Sequence, residues 1–219
     1  MKNADFVSSS RNILTPCQNY AILFIVTRCQ NTKGVIIIKK CIDTKLALYP
    51  SPVTIIGAMN GDKPTWTLVA HTGIIGHDRI LVSLAQSHFI NHIIKDNGRL
   101  SVNLVTEEML PGVDIAGSVT GASHDKSELF EYEPGSSGTP IIAAARLALE
   151  CTVADIYETP NFESFICTID NTYAEESCLN DRGKPDYAKI SPVLFEFPNY
   201  QYLRTGDVIG RCLSFKEAE

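Results

Sequence analysis

The tripeptide Asn60-Gly61-Asp62 constrains the fold of this chain more than any other short stretch. It separates the apolar, β-branched run 53–59 from the run 65–72 (TWTLVAHT). A Gly-centred turn between two such runs predicts an antiparallel hairpin. Further strands are predicted at 79–85 (RILVSLA), 99–105 (RLSVNLV), 146–156, 164–172, 193–197 and 206–213 (GDVIGRCL). Helices are short. Ser87 is placed to cap one whose apolar stripe is Phe89, Ile90, Ile93 and Ile94, with Gly98 as its stop. Thr106 is placed to cap a second, carrying Glu107 and Glu108 in its first turn, and Ser123 a third over 125–130. Residues 135–138 (GSSG) read as a flexible loop and 180–184 as a polar turn. Many strands with few, short helices between them predict a mainly β protein: a small β-barrel with short helical insertions, not a βαβ parallel sheet.

Residues 1–38 differ in character. They are rich in Ser, Asn, Thr and Gln, and their apolar islands 20–26 and 35–38 do not alternate. They are read as an N-terminal appendage, and 39–219 as the domain. The island 20–26 is too short to span a bilayer, and no small-residue cleavage site follows it, so no secretory signal is read.

Composition excludes several classes of partner. The formal net charge of −6 provides no broad basic field for nucleic acid or an anionic membrane. Seven cysteines, odd in number and without a CxxC pair, argue against a disulfide framework and a cysteine-rich zinc site. They read as reduced thiols of a cytoplasmic protein. No GxGxxG follows a strand, and no P-loop, GxSxG or HExxH occurs. His88 and His92 have helical metal-ligand spacing but lack a carboxylate and a third ligand, so no metal is expected. The start of the helix after Ser87 suits a phosphate, with His88 as an added donor or positive charge; an ordinary capped helix is the alternative.

The order of these pieces carries a resemblance. Tyr49-Pro50-Ser51-Pro52-Val53, then Thr67-Leu68-Val69-Ala70-His71-Thr72-Gly73, Val82-Ser83-Leu84, Ser87-His88-Phe89 and Val102-Asn103 follow one another as in the flavin reductase-like, FMN-binding split β-barrel family, which includes flavoredoxins. Thr120-Gly121 before Asp125-Lys126-Ser127, Pro140-Ile141-Ile142, Leu149-Glu150-Cys151 and the tail from Tyr202 to Gly210 resemble its later parts.

The resemblance implies a split β-barrel of the FMN-binding type, working as a homodimer. It implies FMN as cofactor, with FAD as the alternative, NADH or NADPH as electron donor, and an electron-acceptor protein as a further partner. Thr65, Thr67, Ala70, Thr72 and Gly73 are implied near the flavin ring. Ser83, Ser87, His88 and Asn91 are implied near the phosphate, with Asn103 close by. No protein acid or base is assigned, because hydride transfer to a flavin does not demand one. His88 and Ile90 stand where the family often has Arg and Thr, which weakens the phosphate assignment. Trp66, the only tryptophan, reads equally as a stacking partner or a packed residue; His71 and His77 read as buried, satisfied histidines. The activity implied is that of an NAD(P)H-dependent flavin reductase. The alternatives are a flavoredoxin-like carrier without direct nicotinamide oxidation, and a non-enzymatic small-molecule binding protein.

Overall fold

The computed structural model describes residues 39–214. The chain divides into two units, residues 1–47 and 48–219, and the second holds every strand and helix among the described residues. The appendage expected at 1–38 lies outside the described residues.

Among the described residues, twelve strands form three sheets. β1 (Ser51–Pro52), β11 (Val193–Glu196) and β12 (Gln201–Arg204) make a small antiparallel sheet in the order β1-β11-β12. β7 (Tyr132–Pro134) and β8 (Pro140–Ile142) make a two-stranded ribbon. The main sheet holds β2 (Thr54–Asn60), β3 (Lys63–Val69), β4 (Thr72–Ile74), β5 (Arg79–Ala85), β6 (Arg99–Leu104), β9 (Leu147–Glu158) and β10 (Phe162–Ala174). Its order is β3-β2-β6-β9-β10-β5-β4, antiparallel throughout.

That order dictates the shape. The two edge strands, β3 and β4, are consecutive in the chain and separated only by Ala70 and His71. Two residues span at most about 7 Å, so the sheet has to curl until its edges meet. Register shifts between β9 and β10 near Ile166 and Ile169 supply local bend and twist of the kind curling requires. The barrel is closed by a covalent step, and a seam remains between β3 and β5.

The β2–β3 hairpin forms as expected. Asn60 pairs with Lys63 around a two-residue loop whose first position, Gly61, has φ +66. A side chain there would be strained, whereas glycine is not. β2 is apolar without alternating because both its faces are covered. Ile56 and Ala58 enter one core with Val82, Leu84, Leu100, Val102 and Phe165. Val53 and Ile55 enter a second core with Trp66, Val105, Met109 and Val113. Helix α1 (Ile90–Asn97) packs Ile90, Ile93 and Ile94 into the first core and ends at Gly98. Helix α2 (Leu110–Ser118), preceded by a 3₁₀ turn over Glu107–Met109, covers the second core with Val113 and Ala116.

Several expectations are corrected. Residues 121–130 contain turns and no helix: Asp125 accepts from the Ser127 backbone N–H at 2.9 Å, an Asx turn that competes with helix. Residues 206–213 form no strand. No strand among the described residues pairs with their β-branched residues. Cys151, Cys167, Cys178 and Cys212 are free, but Cys41 is disulfide-bonded, against the expectation of uniformly reduced thiols. Cys212 is exposed, and burial pushes the Cys167 thiol up to about 12.

The loop 135–138 is pinned, not free. Glu150 is fully buried, and the loop wraps its carboxylate. The carboxylate accepts from Ser136 Oγ (2.9 Å), the Ser137 backbone N–H (2.9 Å), Ser137 Oγ, Thr139 Oγ1 (2.5 Å), Asn171 Nδ2 (2.9 Å) and Tyr173 Oη (2.9 Å). Gly135 is required by the closeness of this approach, since a Cβ there would lie 2.5 Å from Glu150 Oε1. Gly135→Ala is therefore expected to destabilise the protein by about 1–3 kcal/mol, the usual cost of overpacking, in urea unfolding.

Candidate functional site

A cleft runs along the seam. Its first compartment, about 220 Å³, is lined by Thr65, Trp66 and Thr67 of β3, residues 87–90 leading into α1, residues 117–121 after α2, and Lys126. Its second, about 250 Å³, is lined by residues 68–71, residues 83–85 of β5, His88, Phe162, Phe195, Phe197 and Tyr202. His88 belongs to both compartments. Each is smaller than the roughly 300 Å³ usual for a ligand site, but together they fall within the usual range.

The first compartment is polar. Hydroxyls come from Thr65, Thr67, Ser87 and Thr120. Lys126 is buried, and its ammonium donates to the Trp66 carbonyl at 3.1 Å and to the Ala116 carbonyl at 2.7 Å. An ammonium has three donors, so one remains unspent by these bonds. No carboxylate among the described residues forms an ion pair with it. Burial lowers its pKa. His88 places Nδ1 3.0 Å from Thr67 Oγ1, and its pKa is lowered by burial first and by the Lys126 charge second. Burial and Lys126 both disfavour protonation of His88, which leaves Lys126 as the compartment's main cationic group.

The second compartment is walled by aromatic rings. Phe195, Phe197 and Tyr202 come from the small sheet and the turn beyond β11, and Phe162 from the start of β10. His71, in the two-residue step that closes the barrel, lies 5.7 Å from Phe162 and 6.3 Å from Phe197 between ring centroids.

The residues expected to form the site divide into two groups. Thr65, Thr67, Ser87 and His88 meet in the polar compartment, and Ala70 and Ser83 line the aromatic one with His88. Ser83 Oγ lies 2.9 Å from Ser164 Oγ. Four do not line the cleft. Thr72 and Gly73 pair with Val82 and Leu81 in the β4–β5 ladder. Asn91 donates to the Ala85 carbonyl (3.0 Å) and Glu163 (2.8 Å). Asn103 is buried on the far side of β6, bonded to the Ile55 carbonyl (3.1 Å) and the Ile142 N–H (2.9 Å).

Ser87 caps nothing. Phe89 occupies the cap position of α1 without a side-chain bond, which leaves the Ser87 hydroxyl to the cleft. Trp66 is packed, edge-on to Phe130 at 5.7 Å, with 1% of its surface exposed. His71 is half-buried and hydrogen-bonded to Tyr49, while His77 is exposed. Sequence reasoning did not assign Lys126 or the aromatic wall to the site. The signal for Lys126 was its place in Asp125-Lys126-Ser127 after Thr120-Gly121; nothing local marks the aromatic residues, which come from distant strands.

A curled antiparallel sheet with a ligand-sized cleft in its seam defines a split β-barrel. Residues 46–203 match the flavin reductase like domain, and the chain belongs to the flavin reductase-like family. The structure is similar to flavoredoxin from Methanosarcina acetivorans, with TM-score 0.77 and 33% identity over 81% of this chain and 96% of that one. It is also similar to flavoredoxin of Desulfovibrio vulgaris (Miyazaki F), with TM-score 0.75 and 26% identity over 81% and 98%. An FMN-binding protein from Thermus thermophilus with bound 1-cyclohex-2-enone shares the fold at TM-score 0.68 and 17% identity, over 84% and 100%. No curated protein matches the chain. Among the described residues, no helix is long and apolar enough to cross a membrane.

Proposed function

We propose that this protein binds a flavin, FMN in preference to FAD, in the seam cleft and uses it to pass on electrons taken from NADH or NADPH. The observation that carries this reading is the junction at His88 of a polar compartment holding a buried, carboxylate-free ammonium with an apolar compartment. FMN has the matching parts: an anionic phosphate, a chain of hydroxyls and a flat ring. Lys126 and the hydroxyls of Thr65, Thr67, Ser87 and Thr120 would hold the phosphate and the hydroxyl chain. Ala70 and Ser83 would border the ring, where small side chains let a flat group approach. Bound flavin supplies hydride and single-electron chemistry; the protein supplies position, charge and exclusion of water.

A second reading, favoured by the 33% identity to a flavoredoxin, is an electron carrier that does not oxidise nicotinamide itself and serves an acceptor protein. Titration of the protein with FMN, followed by flavin fluorescence, tests both; saturation at micromolar concentrations is expected. The absence of a saturable change sinks the flavin reading. NADH or NADPH oxidation by the loaded protein then separates the reductase from the carrier.

A homodimer belongs to the same proposal. Ile74 on the edge strand β4, and Val208 and Ile209 in the tail, are almost wholly exposed, and two-fold association is the commonest way to bury such surface. Sedimentation is expected to show a dimer, and dilution that splits it is expected to weaken FMN binding. A monomer that binds FMN tightly contradicts this. Cytoplasmic location is also part of the proposal, supported by the four free thiols among the described residues and opposed by the Cys41 disulfide.

A further inference from the structure

We propose that His71 and Tyr49 form a proton-donating pair in the aromatic compartment, serving a small planar quinone or conjugated carbonyl compound as the electron acceptor. The proposal rests on the flavin reading for its source of hydride, but not for its ligand.

Tyr49 Oη lies 3.0 Å from His71 Nε2. Aromatic rings surround this polar contact. Tyr49 stacks on Phe197 at 6.2 Å and meets Phe195 edge-on at 6.3 Å, while His71 contacts Phe162 and Phe197. His71 lines the compartment; Tyr49, hydrogen-bonded to it, does not. With Nε2 engaged by Tyr49, Nδ1 has no partner among the described residues. The groups around His71 are Tyr49, Phe162 and Phe197, none of them a carboxylate or a cation. Burial lowers the pKa of His71, and burial first and Tyr200 second raise that of Tyr49. Both are therefore neutral at pH 7, with a proton to give between them.

With a flavin ring against Ala70 and Ser83, the rest of this aromatic wall, Phe162, Phe197 and His71, leaves room only for a small, flat, largely apolar molecule beside the ring. His71 Nδ1, without a partner among the described residues, offers from this wall a hydrogen bond to an oxygen on that molecule. Reduction of a quinone or conjugated carbonyl needs a hydride at carbon and a proton at oxygen. In the pair's working tautomer the Tyr49 O–H donates to Nε2, and His71 carries its proton on Nδ1. The electrophilic carbon accepts the hydride, and the electron pair displaced onto oxygen takes the Nδ1 proton. Tyr49 then passes its proton to Nε2. When the product leaves, solvent reprotonates Nδ1 and the tyrosinate recovers its proton from Nε2. His71 is the catalytic residue in this step and Tyr49 a positioning residue.

The test begins with protein free of flavin. 2-Methyl-1,4-naphthoquinone should quench the Trp66 fluorescence saturably, and His71→Phe should weaken that binding about tenfold by removing the hydrogen bond. ¹⁵N spectra should show His71 protonated on Nδ1, and Tyr49→Phe should give a mixture of tautomers. In FMN-loaded, reduced protein, both variants should slow quinone reduction, His71→Phe by about 100-fold, the low end for a general acid. Neither should change the rate with ferricyanide, which takes one electron and no proton. Quinone binding indifferent to His71, a tautomer indifferent to Tyr49, or equal losses with both acceptors each overturns the proposal. Failure of the flavin reading is distinct: FMN is not taken up, while quinone binding still depends on His71.

Discussion

Replacing Glu150 by alanine is expected to cost the fold on the order of 3–5 kcal/mol. The carboxylate is fully buried and accepts from six donors, four of them on residues 136–139. Truncation removes the shared acceptor of those donors, among them the buried Thr139 hydroxyl, and unmade buried bonds cost more than made bonds contribute. Glu150→Gln keeps one acceptor oxygen but turns an N–H₂ group toward hydroxyls and amides, so its loss should be intermediate. The pH dependence follows from the same geometry. Burial alone would raise the Glu150 pKa, but the donors from Ser137, Thr139 and Asn171 outweigh it and hold the group well below the usual carboxylate range. A folded-state pKa below the unfolded value of about 4.3 means that the stabilisation is complete above that pH. It is lost progressively as pH falls below it. Urea unfolding from pH 7 to pH 3 should show wild type losing stability toward acid and Glu150→Ala losing less. A parallel loss in both would show that other carboxylates govern the acid limb.

Lys126→Met is expected to weaken FMN binding by about 10- to 100-fold, or about 1.5–3 kcal/mol for a charged hydrogen bond, while leaving riboflavin nearly unchanged. The two ligands differ by the phosphate, so the ratio of their losses isolates the charge from general damage to the cleft. The variant also leaves the Trp66 and Ala116 carbonyls without their ammonium donor, and a thermal melt measures that separately. Equal losses for FMN and riboflavin would show that the phosphate lies away from Lys126.

The hairpin at Gly61, the strands of the curled sheet and the apolar face of α1 were legible because each rests on local chemistry: a two-residue turn, an apolar run, a stripe at helical spacing. The step at Ala70 and His71 was not. Residues 65–72 read as one strand, since no Gly or Pro interrupts them before Gly73, yet the chain there crosses from one edge of the sheet to the other. The tail at 206–213 failed for the opposite reason: its β-branched residues suit a strand, but a strand needs a neighbour. In the cleft, Thr65, Thr67 and His88 were legible through the family resemblance. Lys126 and Glu150 took their importance from partners far along the chain, which no local pattern displays.

The covalent step between β3 and β4 also governs how the molecule yields. Across the rest of the main sheet, separating two strands breaks ladder hydrogen bonds. At the seam that cost is largely absent, because β3 and β5 are joined by the chain and by side chains rather than by a ladder. Guests can therefore enter and leave while the ladders stay intact, and local opening is confined to the place where it is useful. Amide exchange should trace this division, rapid from Ala70 to Thr72 and slow through β2, β6 and β9. In mechanical terms the barrel is a clasp whose hinge is its own backbone.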